Sequence, residues 1–200
     1  HRVDRRQRQM CIRDSFVTFL ARIQHRDGSF DQMYPNEKAP GVVYDILSAL
    51  LWVWKSPYTS GSSKMQLEAI MHRAVTYALT ADEKHGEIAN HFAHYAWDLA
   101  HFDSVFKHTK ARTRSEQYLA RTLKLFNAEE GWLLEYDGAD AGYQTRCVTF
   151  LSKLAELNDD SALWDILRSS AGFLDRMLMP DNSFHPMLGV RSTGLTYPSG

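Results

Sequence analysis

One phrase recurs four times along the chain and limits its fold more than any other feature: an amphipathic helix, then a polar, mostly acidic turn, usually closing on an aromatic residue. The first copy is Phe19-Leu20-Ala21-Arg22-Ile23-Gln24-His25-Arg26-Asp27-Gly28-Ser29-Phe30. The phrase returns as Leu123-Lys124-Leu125-Phe126-Asn127-Ala128-Glu129-Glu130-Gly131-Trp132 and as Phe173-Leu174-Asp175-Arg176-Met177-Leu178-Met179-Pro180-Asp181-Asn182-Ser183-Phe184. A weaker copy, Tyr77-Ala78-Leu79-Thr80-Ala81-Asp82-Glu83-Lys84-His85-Gly86, lies between the first two. Anchored on positions 28, 86, 131 and 182, the intervals are 58, 45 and 51 residues. A period of about fifty suits one helix-turn-helix hairpin with its loops.

Apolar spacing fills in the helices. A helix ends over 16–25 at the Asp27-Gly28 turn, and a loop with Pro35 and Pro40 leads to a second over 42–55. There Ile46, Leu47, Leu50, Leu51 and Trp54 share one face. Helix 64–80 carries Leu67, Ile70, Met71, Ala74, Val75 and Ala78 at the same period, and further helices are predicted at 87–107, 112–127, 142–157 and 160–179. Nothing alternates in the manner of a half-buried strand. The expected architecture is all-α: about three and a half helical hairpins, with short connections that make neighbours antiparallel.

Composition narrows the partners. A formal charge of −1 with 24 % charged residues leaves no basic excess for nucleic acid. The longest apolar run, Val42 to Val53, is broken by Asp45 and Ser48, well short of the roughly 20 residues that span a bilayer. Cys11 and Cys147 have no ligand or disulfide spacing and read as unrelated thiols. Residues 1–15 are excluded from the fold as an artefactual or disordered segment. Met10-Cys11-Ile12-Arg13-Asp14-Ser15 is what DNA resembling the transposon end of sequencing libraries encodes, so adapter read-through is expected there. Residues 16–200 are read as one domain and a fragment of a longer ring.

The helix from Glu87 to Val105 is the most informative place to look for chemistry, the alternative being a polar face that is merely solvated or satisfied within the core. At about 100° per residue, Glu87, His91, His94, Asp98 and His101 fall within roughly 80° of one another on a helix that is otherwise mostly apolar. Such a stripe suits an inner helix facing a water-filled lumen, where a histidine serves as general base and Asp98 or Glu87 orients its imidazole. No metal motif of the His-Glu-x-x-His kind occurs, and no cofactor is expected. The loop from Gly131 to Gln144 holds Trp132, Glu135, Tyr136, Asp137, Asp140 and Tyr143, with Asp140 placed to cap the next helix. Aromatic faces that stack on sugar rings, beside carboxylates and amides that bond hydroxyls, suit a carbohydrate. The first loop repeats the mixture with Asp31, Tyr34, Asn36 and Glu37, and the last with His185, Arg191 and Tyr197.

Helical hairpins with acidic-Gly-aromatic turns resemble the α/α-toroid proteins: six-hairpin glycosidases, heparinase-type polysaccharide lyases and terpenoid cyclases. Phe19-Leu20 to Gln24 and on to Gly28-Ser29-Phe30 looks like the cyclase repeat, but the Asp-rich acid motif of cyclases is missing. A closer resemblance is to a little-characterised bacterial toroid group found with exopolysaccharide biosynthesis genes. It rests on Glu130-Gly131-Trp132 through Glu135-Tyr136 to Gly138-Ala139-Asp140 and Gly142-Tyr143-Gln144. It rests also on Asp27 to Glu37 and on Asp181 to Phe184 with Gly189, Arg191, Thr193 and Tyr197-Pro198, although Met187-Leu188 depart from the group's pattern.

The resemblance implies a toroid fold and a poly- or oligosaccharide partner. From the residues and the resemblance together, the expected activity is lysis or hydrolysis of an acidic or amino-sugar polysaccharide. The catalytic candidates are His91, His94, Asp98, Glu135 and Tyr143. In elimination, His91 or His94 is the base and Tyr143 the acid, with Asn90 or Arg146 neutralising the substrate carboxylate. In hydrolysis, Glu135 pairs with Asp98 or Asp140. The substrate-binding candidates are Tyr34, Glu37, Trp132, Asp140, Gln144 and Arg191. The alternative is a toroid that binds or scaffolds glycan without catalysis.

Overall fold

The computed structural model describes residues 15–184 and Gly189. The described chain is predominantly helical. It consists of α1 (residues 15–23), α2 (Pro40–Lys55), α3 (Gly61–Ala78), α4 (Ala89–Phe106), α5 (Thr109–Lys124), the two-residue strands β1 (Phe126–Asn127) and β2 (Trp132–Leu133), α6 (Ala141–Asn158) and α7 (Ser161–Arg176). Its contacts group into two compact units, His1–Asp82 and Glu83–Gly200. Among the described residues no helix is long and apolar enough to cross a membrane.

Local chemistry accounts for where each helix starts. Pro40 opens α2, its missing N–H costing nothing in a first turn. Asp140 and Asp160 cap α6 and α7 by accepting from Tyr143 N and Leu163 N, each at 3.0 Å, and His108 Nδ1 does the same for Ala111 N of α5 at 3.1 Å. Two hairpins close alike: Lys107 and Asp159 take left-handed conformations at the ends of α4 and α6, and the next residue caps the following helix.

All four repeat anchors have positive φ: Gly28 at 93°, Gly86 at 107°, Gly131 at 83° and Asn182 at 64°. Two of the turns match bond for bond. His25 N donates to Ser29 O at 3.0 Å while Asp27 Oδ1 accepts from Ser29 N; Met179 N donates to Ser183 O at 2.8 Å while Asp181 Oδ1 accepts from Ser183 N. Space as well as φ demands glycine at two anchors. A Cβ on Gly28 would strike the Arg73 carbonyl, and one on Gly131 would lie 2.5 Å from Ser169 O.

The unit His1–Asp82 packs α2 on α3, with Leu47, Leu50 and Leu51 buried in one helix and Leu67, Ile70, Met71 and Val75 in the other. In the unit Glu83–Gly200, α4 touches both α5 and α6, and α6 touches α7. Buried Phe92 and Tyr95 reach Tyr118 of α5, with ring centroids 5.9 and 5.3 Å apart. Side chains of this size stabilise by about 1.5–3 kcal/mol each when fully buried.

Two of the boundaries that differ from those expected bear on the site. The helix expected over 112–127 stops at Lys124, because Phe126 and Asn127 pair with Leu133 and Trp132 in an antiparallel ribbon. The helix expected from 87 begins at Ala89, so Glu87 falls outside it and pairs instead with Arg121 at 2.7 Å.

Candidate active site at the start of α4

α4 has no side-chain cap of its own, because its N-cap is Ile88. Segment 134–135 supplies what is missing: Leu134 O accepts from Ala89 N at 3.1 Å, and Glu135 Oε1 accepts from Asn90 N at 2.8 Å. Asn90 Nδ2 donates to the other carboxylate oxygen of Glu135 at 2.5 Å. Glu135 is fully buried, and burial pushes its carboxyl up to about 8. The two bonds from Asn90 oppose that rise, the nearby Asp140 charge adds to it, and Arg146 weakly offsets it. Burial pushes the Cys147 thiol up as well, with Glu135 contributing.

A second carboxylate serves the same helix from the preceding turn. Glu83 Oε2 lies 2.6 Å from His91 Nδ1 and accepts from the Tyr95 hydroxyl at 2.6 Å. Its Oε1 accepts from Lys84 N at 2.8 Å and His85 N at 3.0 Å, and lies 2.7 Å from His85 Nδ1. Burial alone would raise its pKa, but the bonds from His91, Tyr95 and His85 outweigh it and hold the carboxyl well below the usual range. An ionised Glu83 can only accept, so His91 Nδ1 carries the proton and Nε2 of a neutral ring presents its lone pair. The His91 side chain is 28 % exposed and Glu83 only 2 %. A buried carboxylate that fixes the tautomer of a reachable imidazole is the arrangement general bases use.

The rest of the stripe is covered rather than open to a lumen. His94 sits 2.9 Å from Asp98 and stacks on Phe150 of α6 at 4.3 Å, with both members of the pair buried. His101 stacks on Trp97 and is buried too. Phe150 of α6 covers His94, and Trp97 of α4 itself lies against His101. Asp98 thus pairs with an imidazole as expected, that of buried His94, whereas the carboxylate on the partly exposed His91 is Glu83, and Glu87 pairs with Arg121.

The binding candidates divide by role. Gln144 is buried and structural: its amide accepts from Leu133 N at 2.9 Å and donates to Gly131 O at 3.3 Å, tying the ribbon to α6. Asp140 is a cap, as its position before α6 suggested, and Gly189 lies against it. Trp132 donates its indole N–H to Glu130, and Tyr143 lies 5.7 Å from Tyr136 between centroids, both rings partly exposed. In the first unit Glu37 gathers the backbone N–H groups of Met33, Tyr34 and Gln32, which lower its pKa. Tyr34 stands exposed beside it. Asn90 is occupied by Glu135, and the Arg146 guanidinium lies 5.6 Å from the Phe150 ring. Arg191, with His185 and Tyr197, lies outside the described residues, as do Met10 to Asp14.

The structure thus joins His91 to Glu83 and Tyr95, neither of which spacing had singled out for a role. Two signals for them were present: Glu83 lies in the acidic turn of the weakest repeat copy, and Tyr95 follows His91 by one helical turn. Compared with protein-family models, curated proteins and solved structures, the chain finds no match.

Proposed function

We propose that the chain is part of an α/α toroid that acts on an acidic polysaccharide by β-elimination, with His91 as the base. The observation that carries this reading is the Glu83–His91 pair, which leaves Nε2 available on a partly exposed ring. Nε2 removes the proton α to the uronate carboxyl; electrons move to form the carbon–carbon double bond as the glycosidic oxygen leaves, and Tyr143 protonates that oxygen. The carbohydrate itself rests on the resemblance and on the aromatic and acidic loops. Hydrolysis through Glu135 is disfavoured, because a carboxyl with no exposed surface and both oxygens on Asn90 cannot reach a substrate.

The test is incubation with a panel of uronate-containing polysaccharides, reading the ultraviolet absorbance of the unsaturated product. His91→Ala is expected to lower the rate by about 10²–10⁴-fold, the usual worth of a positioned base. Reducing ends without a double bond would reject elimination. A non-catalytic glycan-binding toroid is the second reading, favoured by the burial of His94, Asp98 and Glu135. It predicts binding that survives His91→Ala, with no product from the unsubstituted chain.

A further inference from the structure

The Glu83 carboxylate serves two imidazoles, one on each oxygen. His85 Nδ1 lies 2.7 Å from Oε1, and His91 Nδ1 lies 2.6 Å from Oε2. Contacts to the two oxygens of one carboxyl put these nitrogens within about 8 Å of each other, the screening length at physiological salt. An ionised Glu83 can only accept, so both rings donate from Nδ1 and both turn the lone pair of Nε2 away from it. Their surroundings differ: the His85 side chain is 73 % exposed, and that of His91 28 %.

We infer that His85 is a positioning residue that acts through Glu83 to set the pH at which His91 gives up its second proton. One negative charge faces two rings of a kind that titrates near neutrality. The first proton taken up by either ring is held by the carboxylate. A second puts two imidazolium ions beside a single anion, so the rings titrate against each other. Where His85 is charged, Glu83 is already neutralised and holds a proton on His91 Nε2 less firmly. His91 therefore stays neutral, with Nε2 ready to accept, to a lower pH than beside Glu83 alone. From α5, Arg114 and Arg121 lie over Tyr118, which packs on Tyr95, and Arg121 pairs with Glu87. From α6, Arg146 lies over Phe150, on which His94 stacks. Glu135 and His94 titrate on partners of their own, Asn90 and Asp98. The value of this coupling to a base rests on the elimination reading; the coupling itself does not.

NMR of the whole chain with labelled histidine, titrated between about pH 4.5 and 9, follows the His91 ring in the parent, in His85→Gln and in His85→Lys. The first variant keeps an uncharged donor, and the second puts a permanent cation in the same place. Because His85 is exposed, both changes leave the core untouched. The His91 midpoint should rise by about half a pH unit in His85→Gln and fall in His85→Lys. The acid limb of kcat/KM on a uronate polysaccharide should move in the same directions. A purely structural part for His85 would shift both variants alike. An unmoved midpoint in both, or a shift of the same sign in both, therefore overturns the assignment. Opposite shifts in a chain that releases no unsaturated product uphold the coupling and reject the elimination reading instead.

Discussion

Glu83 and Glu135 are both buried carboxylates bonded to the first turns of α4, yet their protonation is driven in opposite directions. Burial opposes the charge on each. Glu135 meets that cost with one residue, Asn90, and its pKa rises to about 8. Glu83 gathers donors from Lys84, His85, His91 and Tyr95, and its pKa falls. The lesson is that burial alone does not decide the charge of a carboxyl; the number and kind of donors arranged around it do. One site near the start of α4 thereby holds a proton at neutral pH, and the other keeps its charge and sets the tautomer of a histidine.

The largest effect should come from Glu135. A folded pKa raised to about 8 against 4.5 in the unfolded chain favours the protonated, folded state. Its contribution is complete below about pH 4.5 and is lost as pH rises towards 8, on the order of 4 kcal/mol over that span. Thermal melts between pH 5 and 9 should show Glu135→Gln losing far less of its stability than the parent; parallel curves would mean that Glu135 is not buried as a neutral acid. Glu83 acts in a separate window. Its lowered pKa gives stability that is present above about pH 4.5 and is lost as pH falls through the folded value. Glu83→Gln should flatten that acid limb and cost about 2 kcal/mol at pH 7 through its mismatched donors, read by chemical denaturation. The smallest effect is expected for Tyr95→Phe. Removing one of the donors should cost about 1 kcal/mol and raise the Glu83 pKa, narrowing the gap between the two acids; NMR titration of the side-chain carboxyls would measure it.

Much of the scaffold was legible in the repeat. Each anchor picked from sequence proved to be a residue of positive φ, and the helix bounds fell within a few residues of those expected. Asp140 capped its helix as its position suggested. Loop residues were harder to read. Glu135 and Gln144 resemble ligand-binding groups in sequence, but their polar atoms go to backbone N–H and C=O groups that a ribbon and an uncapped helix leave open. Such needs arise only after the chain has bent back on itself, so no local pattern announces them.

By itself the sequence determined the all-α class, the repeating turns and the stripe of histidines, because these depend on residues a few positions apart and on backbone sterics. Tertiary structure decided which histidine is served by a carboxylate and which are covered. His91, His94 and His101 share one face of α4, but only His91 meets a turn that bends Glu83 back onto it, while α6 packs over His94. Burial and donor count at a point in space depend on which other segments arrive there, and that is set by packing rather than by period.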